Sequence, residues 1–264
     1  MRPVARILLS IILTATAAPA SAESVVEIES RGQRIRALLE APANPVGSVI
    51  LLVGGHGKLD IEPSGAIGWG GGNQLARTRS SYAAAGFATL LPDIAPDLKT
   101  PGGVVAGYRL GQPHGRDLGA LVQYMRGVKT PVVVVATSRG APSAGAMLRH
   151  SSGGGRPDAL VMTAGMLMPA GNQPNFRNAI GGDAAPARLP LLLVGHKRDE
   201  CAYTRPASID EFRAWHGGAV DVIMLDGGSP GRGDPCQAQS AHGFLGLDRE
   251  VVDAVTGWIR RTLR

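Results

Sequence analysis

The sequence predicts an α/β chain built on a mostly parallel, doubly wound sheet flanked by helices. Three observations point there. Short continuous apolar runs recur, above all Val49–Val53 and Val132–Val135, and such runs suit strands buried on both faces of a parallel sheet. Segments with helical periodicity lie between most of them, and strand–helix alternation is the pattern of a doubly wound fold. The length of 264 residues suits one large α/β domain with no second unit.

The first residues read as a leader rather than as fold. Arg2 and Arg6 precede a short apolar run, Ile7–Thr16, that is too short to span a bilayer, and Ala20-Ser21-Ala22 offers small residues for cleavage. This predicts a secretory signal peptide over residues 1–22, removed after Ala22, and a single domain over 23–264. It places the protein in the periplasm or outside the cell. No cysteine follows the apolar run, so no lipid anchor and no stable membrane anchor is expected. Loss of the two leader arginines lowers the formal net charge from +6 to +4. The remaining basic residues are scattered and aromatics are few, which argues against a nucleic-acid surface.

Gly32 separates the apolar segment Val25–Ile28 from the alternating segment Arg34–Leu39, as in an edge hairpin. Further strands are expected at Val49–Val53, Ala88–Leu91, Val132–Val135, Ala159–Met162, Leu191–Val194 and Val220–Leu225. Helices are expected near Asn73–Ala85, Arg116–Arg126, Arg139–His150, Pro206–Trp215 and Asp248–Leu263. The last is the clearest. Val251, Val252, Val255, Ile259 and Leu263 share one face, with Asp248 and Glu250 at its start and Arg260 and Arg261 at its end, charges that suit the helix dipole. The glycine-rich stretch Gly54–Gly72 and the Gly/Pro/Asn-rich stretch Ala164–Pro190 read as loops. The latter has too little periodicity to form a large lid.

Four valines run into Ala136-Thr137-Ser138-Arg139-Gly140, and a helical segment follows. A sharp strand-to-helix turn of this kind presents a serine hydroxyl and frees the next N–H to face a developing oxyanion. An acid is then expected beyond a later strand, and Asp199 lies just past Leu191–Val194, with Glu200 as the competing acid. A base is expected after a further strand, and His242 follows Val220–Leu225. The chain order Ser138, Asp199, His242 is that of a nucleophile, an orienting carboxylate and a general base. Two oxyanion donors are required. Arg139 is the first, and Gly55 or His56, in Gly54-Gly55-His56-Gly57, is the second. Cys201 and Cys236 are the only cysteines. In an exported chain such a pair suggests a disulfide, here one that ties the acid loop to the base loop.

Competing motifs fail. Leu52 and Leu59 break a phosphate-loop pattern, and Leu59 and Asp60 break a dinucleotide fingerprint. There is no His-Glu-x-x-His and no Cys/His cluster, so neither a metal nor another cofactor is expected. His114 is expected to start a helix, His150 to end one, and His196 and His216 to lie on the surface.

These residues resemble the α/β-hydrolase superfamily, with likeness to secreted or periplasmic members of the dienelactone-hydrolase and serine-aminopeptidase type. The matching pieces are Gly54–Gly57, Thr137–Gly140, Asp199–Cys201 and Ser240–Phe244, across nearly all of residues 23–264. Ala136 departs from the first glycine of the family's G-x-S-x-G. The resemblance implies an α/β-hydrolase fold with little or no lid, and an exported serine hydrolase forming an acyl-enzyme on Ser138. Carboxylic esters are the first substrate class it implies. Amide or peptide hydrolysis, acyl transfer, or a catalytically idle binding protein on the same fold are its alternatives. The partner implied is a small-molecule or peptide acyl substrate; oligomeric state is left open.

Overall fold

The computed structural model describes residues 22–182 and 189–263. The expected leader, Ala22 apart, lies outside them. Strands β1 (Ser24–Ser30) and β2 (Gln33–Glu40) form the edge hairpin. Arg31 and Gly32, at φ 50° and 74°, make its two-residue turn, the left-handed pair whose twist matches a hairpin. The chain continues through β3 (Ser48–Leu52), helix α1 (Gln74–Ala84) and β4 (Ala88–Pro92). A small ribbon of β5 (Lys99–Thr100) and β6 (Gly103–Val104) precedes α2 (Gln112–Val128). Then come β7 (Val132–Thr137), α3 (Gly140–His150), β8 (Ala159–Thr163) and α4 (Phe176–Ile180). The last elements are β9 (Leu191–His196), α5 (Ala207–His216), β10 (Asp221–Leu225) and α6 (Asp248–Thr262).

Eight strands form one sheet in the order β1-β2-β4-β3-β7-β8-β9-β10. β2 runs antiparallel to both its neighbours, and the other pairings are parallel. Alternating side chains feed two cores. Val132, Val134 and Ala136 pack with α2, α3, Phe176 of α4 and Phe212 of α5. Val133 and Val135 pack on the opposite face with α1 and α6. This is why the valine run needs no polar face. In α6, Val251, Val252, Val255 and Ile259 are buried as the periodicity requires. Trp258 joins them, its indole N–H donating to Asp221 at 2.6 Å.

β4 and β7 flank β3 on opposite sides, so the winding reverses at β3. Leu52 pairs with Ala136. The loop after β3 and the turn after β7 therefore leave the sheet side by side at its carboxyl edge, where ligands of open α/β sheets bind.

Three expectations need correction. Helix α2 starts at Gln112, earlier than Arg116, because Pro113 lies in the first turn, where its missing N–H has no intrahelical partner to lose. The stretch expected to be all loop contains α4, whose N-cap Asn175 accepts the Asn178 N–H at 3.0 Å. α4 packs on α3 and forms no lid. His196 is buried rather than exposed: β9 extends to it, and its ring meets Phe244 edge to face, 6.0 Å between centroids.

Candidate active site

Ser138 occupies the turn between β7 and α3 with φ 52°. A non-glycine residue in that region costs about 1–3 kcal/mol and persists only where its surroundings over-determine it. Here they do. The Ser138 N–H donates to the Thr163 carbonyl at 3.2 Å, and the Ser138 carbonyl accepts from Ala141 and Met166 at 3.1 Å each. Two glycines make the turn possible. A Cβ on Gly54 would lie 2.9 Å from the Ser138 Cβ, and one on Gly140 would collide with the Leu52 carbonyl. Ala136 stands two residues before the serine, fully buried in β7. A methyl group is accommodated there, so the departure from glycine leaves the turn intact.

Asp199 and His242 are both buried. His242 Nδ1 lies 3.1 Å from Asp199 Oδ2 and 2.9 Å from Thr204 Oγ1. The Thr204 hydroxyl donates to the same carboxylate oxygen at 2.9 Å, and the Cys201 N–H donates to the other at 2.9 Å. With Nδ1 carrying the ring proton, these acceptors satisfy it and leave Nε2 free to accept. The sequence reading missed Thr204. A threonine five residues past the acid carries no spacing signal, and only the fold of the β9–α5 loop turns it inward.

Glycine also shapes the histidine loop, because a Cβ on Gly243 would collide with the Ala238 carbonyl. Arg77 of α1 braces it. Its guanidinium donates to the Gly243 carbonyl at 2.7 Å, to the Gly72 carbonyl at 2.8 Å and to Asp248 at 2.7 Å. The disulfide expected between Cys201 and Cys236 is present, with the Cα atoms 4.6 Å apart. It joins the Asp199 loop to the loop that leads into His242.

Ser138, Arg139 and His242 line one open cleft of about 760 Å³, together with Gly55, Trp69, Tyr203 and the disulfide. That volume falls within the roughly 300–1,000 Å³ of small-molecule sites. Glu200 and Asp234 add acidic groups to the wall. Glu200 lies outside the hydrogen bonds of the His242 ring, which go to Asp199 and Thr204. The Arg139 guanidinium donates to Gln173 at 2.9 Å.

Of the two residues considered for the second oxyanion donor, Gly55 lines this cleft and His56 does not. His56 stacks on Trp69, 3.5 Å between ring centroids, and its Nδ1 accepts the Lys58 N–H at 3.1 Å. Burial, with Lys58 and Arg109 nearby, holds its imidazole below the usual range. Among the described residues, no cluster of histidine, cysteine and carboxylate groups could hold a metal ion.

No family model matches the sequence, and comparison with curated proteins finds no match. Solved structures do match. An α/β serine hydrolase homologue from Coxiella burnetii superposes with a TM-score of 0.59 at 15% identity, over 92% of this chain and 100% of its own. A dienelactone hydrolase from Anabaena variabilis gives 0.58 at 17% identity, over 93% and 100%. Esterase 2 from Thermogutta terrifontis, phosphoramylated by tabun, gives 0.57 at 13% identity, over 95% and 97%. The chain has the α/β-hydrolase fold.

Proposed function

We propose that this protein is an exported serine hydrolase that cleaves carboxylic esters through an acyl-enzyme on Ser138. The observation that carries the reading is the left-handed turn at Ser138, which faces the same cleft as His242. The imidazole of His242 is in turn held at Nδ1 by Asp199. Nothing in a packed sheet requires a non-glycine residue in that strained turn, and a nucleophile that must stand clear of the sheet does.

The chemistry follows from these positions. Nε2 of His242 accepts the Ser138 proton as Oγ adds to the ester carbonyl carbon. The carbonyl π electrons move to oxygen, and backbone N–H groups of Arg139 and of the loop after β3 stabilise the charge. Collapse expels the alcohol, which takes its proton from His242. Water repeats the sequence, protonated Ser138 is restored, and the acid is released. Asp199 keeps the imidazole in the productive tautomer and stabilises its charged form.

The open cleft and the short α4 favour esters with small or surface-presented acyl groups. Export rests on the leader-like residues 1–22 and is supported by the disulfide, which suits an oxidising compartment. Among the described residues no helix is long and apolar enough to cross a membrane. The structures named above are related in fold, and their names point to the same reaction class.

The test is a panel of p-nitrophenyl esters of increasing acyl length alongside aminoacyl anilides, with wild type and Ser138→Ala. Ester turnover that the variant loses supports the proposal. Faster anilide turnover would move the assignment to amides. No turnover of either class by folded wild type would overturn it.

A further inference from the structure

Between β6 and α2, one 3₁₀ turn (Tyr108–Leu110) passes beneath the loop that follows β3. It carries Arg109, which is 6% exposed. A buried guanidinium usually has a carboxylate partner, because a buried charge is costly unless paired. Among the described residues no carboxylate pairs with Arg109. Its Nη2 instead donates to three consecutive carbonyls, Val53 at 3.2 Å, Gly54 at 3.3 Å and Gly55 at 3.2 Å. Its Nη1 donates to Ser143 Oγ at 2.6 Å. The Tyr108 hydroxyl takes the next carbonyl, His56, at 2.6 Å. Four successive carbonyls of the loop are thus drawn to one side by two neighbouring residues.

Peptide geometry gives this a consequence at the active site. In a trans peptide the C=O and the following N–H point in opposite directions. Carbonyls of Gly54 and Gly55 drawn to the guanidinium send the N–H groups of Gly55 and His56 the other way. The glycines let the clamp close: Gly55 and Gly57 have φ of 58° and 79°, and a Cβ on Gly57 would collide with the Tyr108 hydroxyl and the Arg109 guanidinium. The clamp is anchored from behind. Ser143 of α3 accepts from Arg109 and donates its own O–H to His114 Nε2, 2.9 Å away, an imidazole that burial keeps neutral.

We infer that Arg109 is a positioning residue of the oxyanion hole, fixing the donor loop after β3 through its carbonyls and leaving a desolvated positive charge behind the developing negative one. The inference rests on the hydrolase reading above. It explains why an unpaired charge is retained there: a preorganised donor costs no reorganisation when the oxyanion forms. Lysine would keep the charge but not the fork that spans three carbonyls and a hydroxyl.

The experiment compares wild type, Arg109→Met, Arg109→Lys and Tyr108→Phe on a short-chain p-nitrophenyl ester. It also measures inhibition by a matching trifluoromethyl ketone, whose adduct with Ser138 places an oxyanion in the hole. For Arg109→Met we expect kcat to fall about 10²-fold, the scale of losing one oxyanion donor, with KM nearly unchanged. The inhibition constant of the ketone rises by a similar factor. Arg109→Lys falls between, and Tyr108→Phe loses less than either. A merely structural role would lower the melting temperature but leave kcat of the folded enzyme and the ketone affinity unchanged, and that result overturns the inference. If Arg109→Met does not fold, Arg109→Lys decides on the same two readouts. A wild type that neither turns over the ester nor binds the ketone overturns the hydrolase reading itself, a failure distinct from that of Arg109.

Discussion

The two halves of the cleft are held together in different ways. On one side, the Asp199 and His242 loops are joined by side chains: a disulfide, the Thr204 hydroxyl and the carboxylate–imidazole pair. On the other, the start of the loop after β3 is held through its carbonyls, by one guanidinium reaching Gly54 and Gly55 and one phenol reaching His56. The difference follows from the proposed tasks. An acid and a base must present particular side-chain atoms, so the residue types are fixed and the loops are stapled around them. An oxyanion hole needs only N–H groups aimed correctly, so glycines can stand at Gly54 and Gly55, and their carbonyls are held by side chains from outside the loop.

This contrast explains what could be read from the sequence. Ser138 and Asp199 could be singled out because each stands just past an apolar strand, and His242 because it ends the long loop between the last strand and the last helix, in an order that the proposed chemistry restricts. The disulfide was legible because only two cysteines exist. The sheet and α6 were legible because their apolar patterns follow the period of the element. Arg109 was not. It lies in a short 3₁₀ turn with no periodicity, and nothing local distinguishes a buried arginine from the many exposed ones. Arg77 and Thr204 were hidden for the same reason, since their partners are 166 and 38 residues away in the chain. His196 was misjudged because its exposure depends on how far β9 extends, and the charged residues after it suggested an earlier end.

The largest expected effect breaks the side-chain half alone. Asp199→Asn preserves size but presents an amide N–H to Nδ1 and favours the wrong imidazole tautomer. Kcat should fall about 10⁴-fold, the scale of this exchange in other triads, with the overall fold retained by circular dichroism. A loss of less than tenfold would remove Asp199 from the role given to it.

Replacing both cysteines with serine sharpens the comparison by loosening the staple while leaving the Arg109 clamp untouched. The bridge closes a segment with a sequence separation of 35, and its loss should cost about 2–4 kcal/mol of stability. The melting temperature and kcat should both drop. Unchanged values of both would mean that the loops hold their geometry without the bridge.

The smallest effect reaches the backbone half through pH. Burial pushes the His114 imidazole from its ordinary 6.5 down to about 3. Between those values the unfolded chain binds a proton that the folded protein refuses. Stability is therefore complete above about pH 6.5 and declines as the pH falls below it, until the folded pKa is reached. Protonation would also remove the acceptor that Ser143 uses and set a second cation near Arg109. Urea unfolding of wild type and His114→Gln across this window should show a shallower decline for the variant. Parallel curves would remove His114 from the cause.

The central claim is that Ser138 is an activated nucleophile. Its most direct measurement is incubation of the folded protein with a fluorophosphonate, followed by mass spectrometry of the digested product. One phosphonyl group per chain is expected, on the peptide containing Ser138, lost in Ser138→Ala and strongly slowed in Asp199→Asn. A folded wild type that takes up no label, or takes it on another residue, would contradict the account.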